Sequence, residues 1–368
     1  MNKEKNVVDY VVPWVRESES YSDKHLDLAW QRPELLRLMS NENPLPPPES
    51  VLRAVERAAR MGNLYPDTGR ALRQKLGEAV GLTAENVILG NGSTDVLDFI
   101  LRTFVAPGDE VIISVPTFSM YEARARVNGG VPVLVPMIPP DYRWDIEGII
   151  NAVSPKTKLI FLCSPNNPTG NMIPEADLRR VLEEGIPTVL DEAYYELETE
   201  PRSFAYLIKE YPNLIINRTF SKAFGLAGLR VGYALGSREV IEHLSRVKIP
   251  WNVSLVALAA ALAAVDDKKD LERKRRLILE GRRYLVEEVN KIPGLRAFPS
   301  EGNFVLVDAS GSGLTAREIV DILLEQNIFI RPMAVHHLGS GFVRITVGTP
   351  EQNQRCVEAL RKLVESRQ

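Results

Sequence analysis

The chain has 368 residues, 45% hydrophobic and 25% charged, with 45 basic side chains against 48 acidic ones and a formal net charge of −3. That balance gives no electrostatic case for nucleic acid or an anionic membrane surface, and the length suits one large core plus a smaller one. The only two cysteines, Cys163 and Cys356, stand far apart with no CxxC and no Cys/His cluster, which excludes a disulfide framework and a zinc site and points to a reducing compartment, the cytoplasm.

In chain order, "MNKEKNVVDYVVPW" lacks the apolar core of a signal peptide. "PLPPP" at 44–48 is the one short biased stretch. Seven β-rich runs then recur between about residues 86 and 236: "NVILG", "EVIISVP", "VPVLVP", "KLIFLCSP", "TVLDEAY", "LIINRTFS" and "RVGYALG". Several alternate with helical patterns such as "STDVLDFILRTF" and "EADLRRVLEE". Continuous apolar strands alternating with helices predict an α/β fold with a mostly parallel sheet covered on both faces. "VSLVALAAALAAV" (253–265) is too short to span a bilayer and predicts a buried helix. The charged stretch 267–292 predicts a helix long enough to bridge two lobes. "LRAFPS", "GNFVLVDA", "TAREIVDILLEQ", "IFIRPM", "GFVRITVG" and a terminal helix predict a smaller α/β unit. The expected division is a large domain over 44–265 and a small domain from both chain ends, 1–43 and 266–368.

In an open α/β sheet, ligands sit at the carboxyl ends of the strands. Polar residues fall there four times: "NGSTD" (91–95), "NNPTG" (166–170), Asp191, and Ser221 with Lys222. Each has an ordinary explanation alone. "GNGSTD" matches any strand-turn-helix junction, "NNPTG" is a good turn, Asp191 could cap a helix, and Lys222 could be a solvated charge. Four such ends converging in one sheet define a site. At one of them, Gly92 permits close approach and the free amides of a helix start favour an anion.

Together these segments resemble pyridoxal-phosphate enzymes of fold type I, in the class I/II aminotransferase group. The segments are "NENP" (41–44), "YPD" (65–67), "GNGSTD", "PTFSMY" (116–121), "SPNNPTG" (164–170), "DEAY" (191–194), "TFSKAFGLAGLRVGY" (219–233) and "VRITVG" (343–348). "SNENP", "YPD", "SKAFGLAGLR" and "RITVGT" are most similar to the histidinol-phosphate aminotransferase branch. The resemblance implies a catalytic Lys222 that forms a Schiff base with the cofactor aldehyde and later carries a proton. It implies that Gly92, Ser93, Thr94, Thr219, Ser221 and Arg230 hold the cofactor phosphate, joined by Tyr65 from the other subunit of a homodimer with shared sites. Asp191 would pair with the pyridine nitrogen. Asn167 and Tyr194 would bond the ring oxygen, and Phe118 would stack on the ring. Arg344 would take a substrate carboxylate and Arg331 a phosphate or distal carboxylate. The partners implied are a small-molecule amino donor and a 2-oxo acid acceptor: histidinol phosphate and 2-oxoglutarate, yielding imidazole acetol phosphate and glutamate.

Two features depart from the branch. It carries a proline-tyrosine pair near the N-terminus where this chain has Pro13-Trp14, and the stretch 16–38 is longer. Trp14 would then line the substrate pocket with an indole in place of a phenol. These departures keep an aromatic-amino-acid aminotransferase as the nearest alternative, and a phosphothreonine-type decarboxylase stays another because it shares much of the sequence pattern. A transcription regulator of the same fold needs a DNA-binding module, and the residues before "NENP" contain no helix-turn-helix.

Overall fold

Twelve strands assemble into two sheets in the computed structural model, which describes residues 6–20, 22–333 and 337–367. In chain order they are β1 (Leu36–Leu38), β2 (Val87–Gly90), β3 (Glu110–Val115), β4 (Val131–Pro136), β5 (Thr157–Cys163), β6 (Thr188–Asp191), β7 (Leu214–Thr219), β8 (Gly232–Leu235), β9 (Arg296–Ala297), β10 (Phe304–Asp308), β11 (Ile328–Pro332) and β12 (Phe342–Thr346).

The seven apolar runs form one sheet of order β2-β8-β7-β6-β5-β3-β4. Its strands are parallel except β8, which runs antiparallel to both β2 and β7. Side chains alternate along each strand, so both faces are apolar. Leu162, Leu190 and Ile216 enter one core with helix Leu255–Asp266, while Phe161, Val189 and Ile215 enter another under helix Ser93–Phe104. The same alternation separates the adjacent acids Asp191 and Glu192. Asp191 shares the face of Cys163, its register partner. Glu192 points the other way and meets the fully buried Arg218 at 2.8 Å. A buried carboxylate needs such a partner.

The second sheet has the order β1-β11-β12-β10-β9, with β1 parallel to β11 and the other pairs antiparallel. The sequence reading anticipated β9 to β12 but not β1, whose three residues are too few for a period to show. The "VSLVALAAALAAV" run becomes helix Leu255–Asp266, capped by Ser254, and packs on helix Glu49–Ala59. The charged stretch becomes helix Lys268–Val289, capped by Asp267, and packs against helix Pro350–Glu365. Among the described residues no helix is long and apolar enough to cross a membrane.

Candidate active site

Strand β7 ends on Thr219 and β8 begins at Gly232, its register partner. Reversal of β8 therefore brings Ser221, Lys222 and Arg230 to the same edge, at the carboxyl ends of the parallel strands. Thr219 Oγ1 donates to Ser221 Oγ (3.0 Å), and Arg230 Nη1 donates to Ser221 Oγ (3.4 Å) and to the Ala227 carbonyl (3.0 Å). Arg230 has φ +54°, the left-handed region that costs a non-glycine residue energy. Helix Ser93–Phe104 starts beside it with no side-chain cap, so its first amides are left for a ligand.

The packing here leaves room for nothing larger than glycine. A Cβ on Gly92 would meet Arg230 Nη2 at 2.2 Å, and one on Gly232 would meet the Ser93 nitrogen at 2.2 Å. Guanidinium, two hydroxyls and uncapped amides thus come together at one corner. This donor set, with no carboxylate in it, fits a phosphate group. Thr94 lies in the first helical turn, half-buried.

Lys222 points its amine at the Ser40 carbonyl (3.2 Å) and lies 5.9 Å from the centre of the Tyr194 ring. Burial, then the positive charge of Arg344, pushes its pKa from 10.5 down to about 7. The amine is accordingly close to neutral where an ordinary lysine is charged. Asp191, 3% exposed, moves the other way: burial raises its carboxyl to about 6. Hydrogen-bond donors, Tyr121 first and then Asn217 and the Ala193 amide, oppose that rise. Tyr121 Oη donates to Oδ2 at 2.7 Å and the Ala193 amide to Oδ1 at 3.1 Å. Tyr121 is held flat on Phe161, 4.9 Å between centroids, and meets Phe118 edge-on at 5.5 Å.

The Tyr194 hydroxyl accepts from Asn41 Nδ2 at 3.0 Å, and burial raises its pKa. Asn41 itself is locked to Thr346 and Asn303 of the small sheet. Asn166 ties Pro116, Thr117 and Thr169 together, which fixes the loop that presents Asn167. Asn167 Oδ1 accepts from Arg344 Nη1 at 2.6 Å, and Arg344 Nη2 donates to the Met39 carbonyl at 2.8 Å. Arg331 is the register partner of Arg344 across β11 and β12. His25, half-buried on helix Lys24–Gln31, has its pKa lowered by burial and then by the charge of Arg331.

Lys222 lies near the Tyr194 ring, Tyr194 and Arg344 both meet Phe304, and Arg344 binds Asn167, so these four fall in one network, while Asp191 acts on Lys222 through its charge. Two expected residues lie apart from that network. Trp14 is half-buried on the short helix Pro13–Arg16, against helix Met120–Val127. Tyr65 is 79% exposed and stacks on Trp251 at 4.8 Å, on the surface of its own chain. The sequence reading assigned no role to Tyr121, Asn41 or His25. The first two stand in the quoted segments "PTFSMY" and "NENP", and only the fold shows what they touch. His25 stands in the long stretch 16–38 and has no signal of its own.

A near-neutral lysine at a strand end, a buried carboxylate at the end of a neighbouring strand and a phosphate corner define a pyridoxal-phosphate enzyme of fold type I. The chain belongs to the family Aminotransferase class I and II, whose model matches residues 33–360. It is 44% identical over 333 residues to a histidinol-phosphate aminotransferase of Methanosarcina mazei, covering 89% of this chain and 88% of that protein. Histidinol-phosphate aminotransferase 1 of Idiomarina loihiensis is 38% identical over 97% of this chain and 98% of its own. Among solved structures, histidinol-phosphate aminotransferase from Sinorhizobium meliloti in complex with pyridoxal-5'-phosphate superposes with a TM-score of 0.86 at 30% identity, covering 97% of this chain and 98% of that one.

Proposed function

We propose that this enzyme transfers the amino group of histidinol phosphate to 2-oxoglutarate, giving imidazole acetol phosphate and glutamate, a step of histidine biosynthesis. The observation that carries the reading is the pair Arg344 and Arg331, opposed across β11 and β12, with the charge of Arg344 acting on the Lys222 amine. Each substrate offers anions there: a phosphate in one, two carboxylates in the other. The names of the relatives support the same choice.

The corner formed by Ser93, Thr94, Thr219, Ser221 and Arg230, with Gly92 making room, would hold the phosphate of pyridoxal 5'-phosphate. Asp191 would serve the ring nitrogen, Asn167 and Tyr194 the ring oxygen, and Phe118 the ring face. When bound, the cofactor supplies the aldehyde that takes up the amino group and the electron sink that acidifies the substrate Cα–H.

The rest is done by the chain. Lys222, near neutral, would take the proton from the substrate Cα and hold it for delivery across the amino nitrogen in a 1,3-shift, a task suited to a base with pKa near 7. Tyr121 helps to keep Asp191 ionised by donating to it. Asn167 and the Met39 carbonyl aim the Arg344 guanidinium, the group we assign to the α-carboxylate of glutamate. Arg331 meets the phosphate of histidinol phosphate or the distal carboxylate of glutamate, with His25 nearby.

The working unit is a homodimer in the cytoplasm. Tyr65, exposed on the surface of its own chain, is the residue we assign to a partner's phosphate corner, and both cysteines are free and buried, as a reducing compartment allows. We divide the chain into a large domain, 44–265, and a small one, 1–43 with 266–368, a division supported by the place of β1 in the small sheet. The test is competition between histidinol phosphate and phenylalanine or tyrosine as donors at equal concentration. Histidinol phosphate is expected to win. An aromatic donor ahead by more than about tenfold, ~1.4 kcal/mol, would leave the transaminase and remove this substrate.

A further inference from the structure

A lysine side chain has four rotatable carbons, so where its amine points depends on how firmly its backbone is held. The backbone after Lys222 turns sharply. The Gly225 amide donates to the Lys222 carbonyl at 3.1 Å, and Gly225 has φ +69°. Three successive carbonyls of this turn take hydrogen bonds from side chains, and none of the donors belongs to the large sheet. Asn43 Nδ2 donates to the carbonyls of Lys222 and Ala223, each at 3.2 Å. Lys274 Nζ donates to the carbonyl of Phe224 at 2.8 Å.

Lys274 is the less expected of the two. It sits on helix Lys268–Val289, is 0% exposed, and pairs with Asp270 one turn earlier at 2.7 Å. Burying an ammonium is expensive unless its donors are used. Here one goes to a carboxylate and another to the lysine turn. The helix start is itself fixed, because Asp267 accepts from the Asp270 amide at 3.1 Å and from Ser50 Oγ at 2.6 Å. Asn43 is braced too, its Oδ1 accepting from the Leu45 amide at 3.1 Å. The turn also fits tightly against the lysine: a Cβ on Gly225 would lie 3.3 Å from Lys274 Nζ.

We propose that Asn43 and Lys274 are positioning residues for the Lys222 amine, clamping the carbonyls of residues 222–224 from outside the large sheet. The proposal rests on the reading of Lys222 as the proton-transfer lysine. Loosening either donor lets the 222–225 turn shift, and the amine then leaves the line between the cofactor and the substrate Cα. A misplacement of about 1 Å can reduce turnover about a hundredfold.

The test compares wild-type holoenzyme with Lys274→Met, which keeps the volume and loses the donors, and Asn43→Ser, which no longer reaches the carbonyls. Three readings are taken: the pH midpoint of the bound cofactor's absorbance change, kcat and KM separately, and thermal stability. Both variants are expected to retain cofactor. Their absorbance midpoint should shift by about one unit, and kcat should fall about tenfold or more while the donor's KM stays within about threefold. A lower Tm with an unchanged midpoint and kcat would mean that the two residues only hold the fold, and would overturn the proposal. If Lys274→Met fails to fold, Asn43→Ser decides by the same readings. Borohydride fixation in the wild type separates the two levels. A label on a lysine other than Lys222 overturns the reading and the proposal together, whereas a label on Lys222 with unaffected variants overturns the proposal alone.

Discussion

The ends of the site that we assign to cofactor and to substrate are built in opposite ways. The cofactor end takes short contiguous segments, each at the end of a large-sheet strand: "NGST" after β2, Asp191 closing β6, and Ser221 with Lys222 after β7. The substrate end draws on distant segments. Arg344 of β12 is aimed by Asn167, 177 positions away, and by the Met39 carbonyl, 305 positions away. A site made of local turns is as firm as its sheet. A site made of long-range bonds depends on how two sheets sit together, and is the half open to changes in specificity.

If that division is right, damage should be graded across it. Lys222→Ala should be the most severe. Turnover is expected to fall on the order of 10⁴-fold or more, the scale of deleting a reacting group, and borohydride should no longer fix the cofactor to peptide 217–236. Activity within tenfold of wild type would show that the reacting amine is elsewhere. Asp191→Ala comes next. Cofactor should stay bound through the phosphate corner while kcat drops about a hundredfold, ~2.7 kcal/mol; loss of cofactor instead would mean that Asp191 serves binding more than chemistry.

Across the divide the effects should become substrate-dependent. Arg331→Ala is expected to lower kcat/KM for histidinol phosphate about thirtyfold, ~2 kcal/mol for an anion left without its partner, and to leave phenylalanine nearly untouched. Equal losses for both donors would contradict the placing of Arg331 at the phosphate. A pH measurement sharpens the cofactor side. Because the folded pKa of Lys222 is depressed to about 7, its amine is protonated below that pH and neutral above it. Reloading of cofactor-free enzyme should therefore speed up by roughly tenfold per unit below pH 7 and level off above it. A rate that keeps rising toward pH 10 would return Lys222 to an ordinary lysine. Smallest is Tyr65→Phe, expected to weaken cofactor binding by about 1 kcal/mol if its hydroxyl reaches the partner's site. Mixing a Tyr65 variant with a Lys222 variant should then restore some activity in hybrid dimers, and hybrids without recovery would refute a shared site.

The same contrast explains what could be read beforehand. Apolar runs of four to seven residues announce a doubly covered sheet, and the polar residues that end them mark the ligand edge, so Lys222, Asp191 and Arg230 stand out in one dimension. Nothing local marks Tyr121 as the donor to Asp191, since its spacing fits a core aromatic and its partner lies two strands away in the sheet. Asn41 and Asn43 could be quoted as a motif without a role, because their partners are backbone and side chains hundreds of residues on. Lys274 reads as one more charge in a charged helix, and only its complete burial separates it from its neighbours. Strand β1 was missed because three residues cannot display a period and its pairing with β11 spans most of the chain.

The reversal of β8 has a consequence for how the chain folds. Had that strand run parallel to β7, the crossover would have carried Arg230 to the opposite end of the sheet, about 13 Å away for four residues. Instead β7 and β8 are joined by one short excursion, so Thr219, Ser221, Lys222 and Arg230 all emerge within about a dozen residues of synthesis. Closing so small a loop costs little entropy compared with the pairing of β8 to β2, whose partners lie far apart along the chain. Half of the phosphate corner can thus assemble as a local hairpin, and the helix start at Ser93 is what must find it.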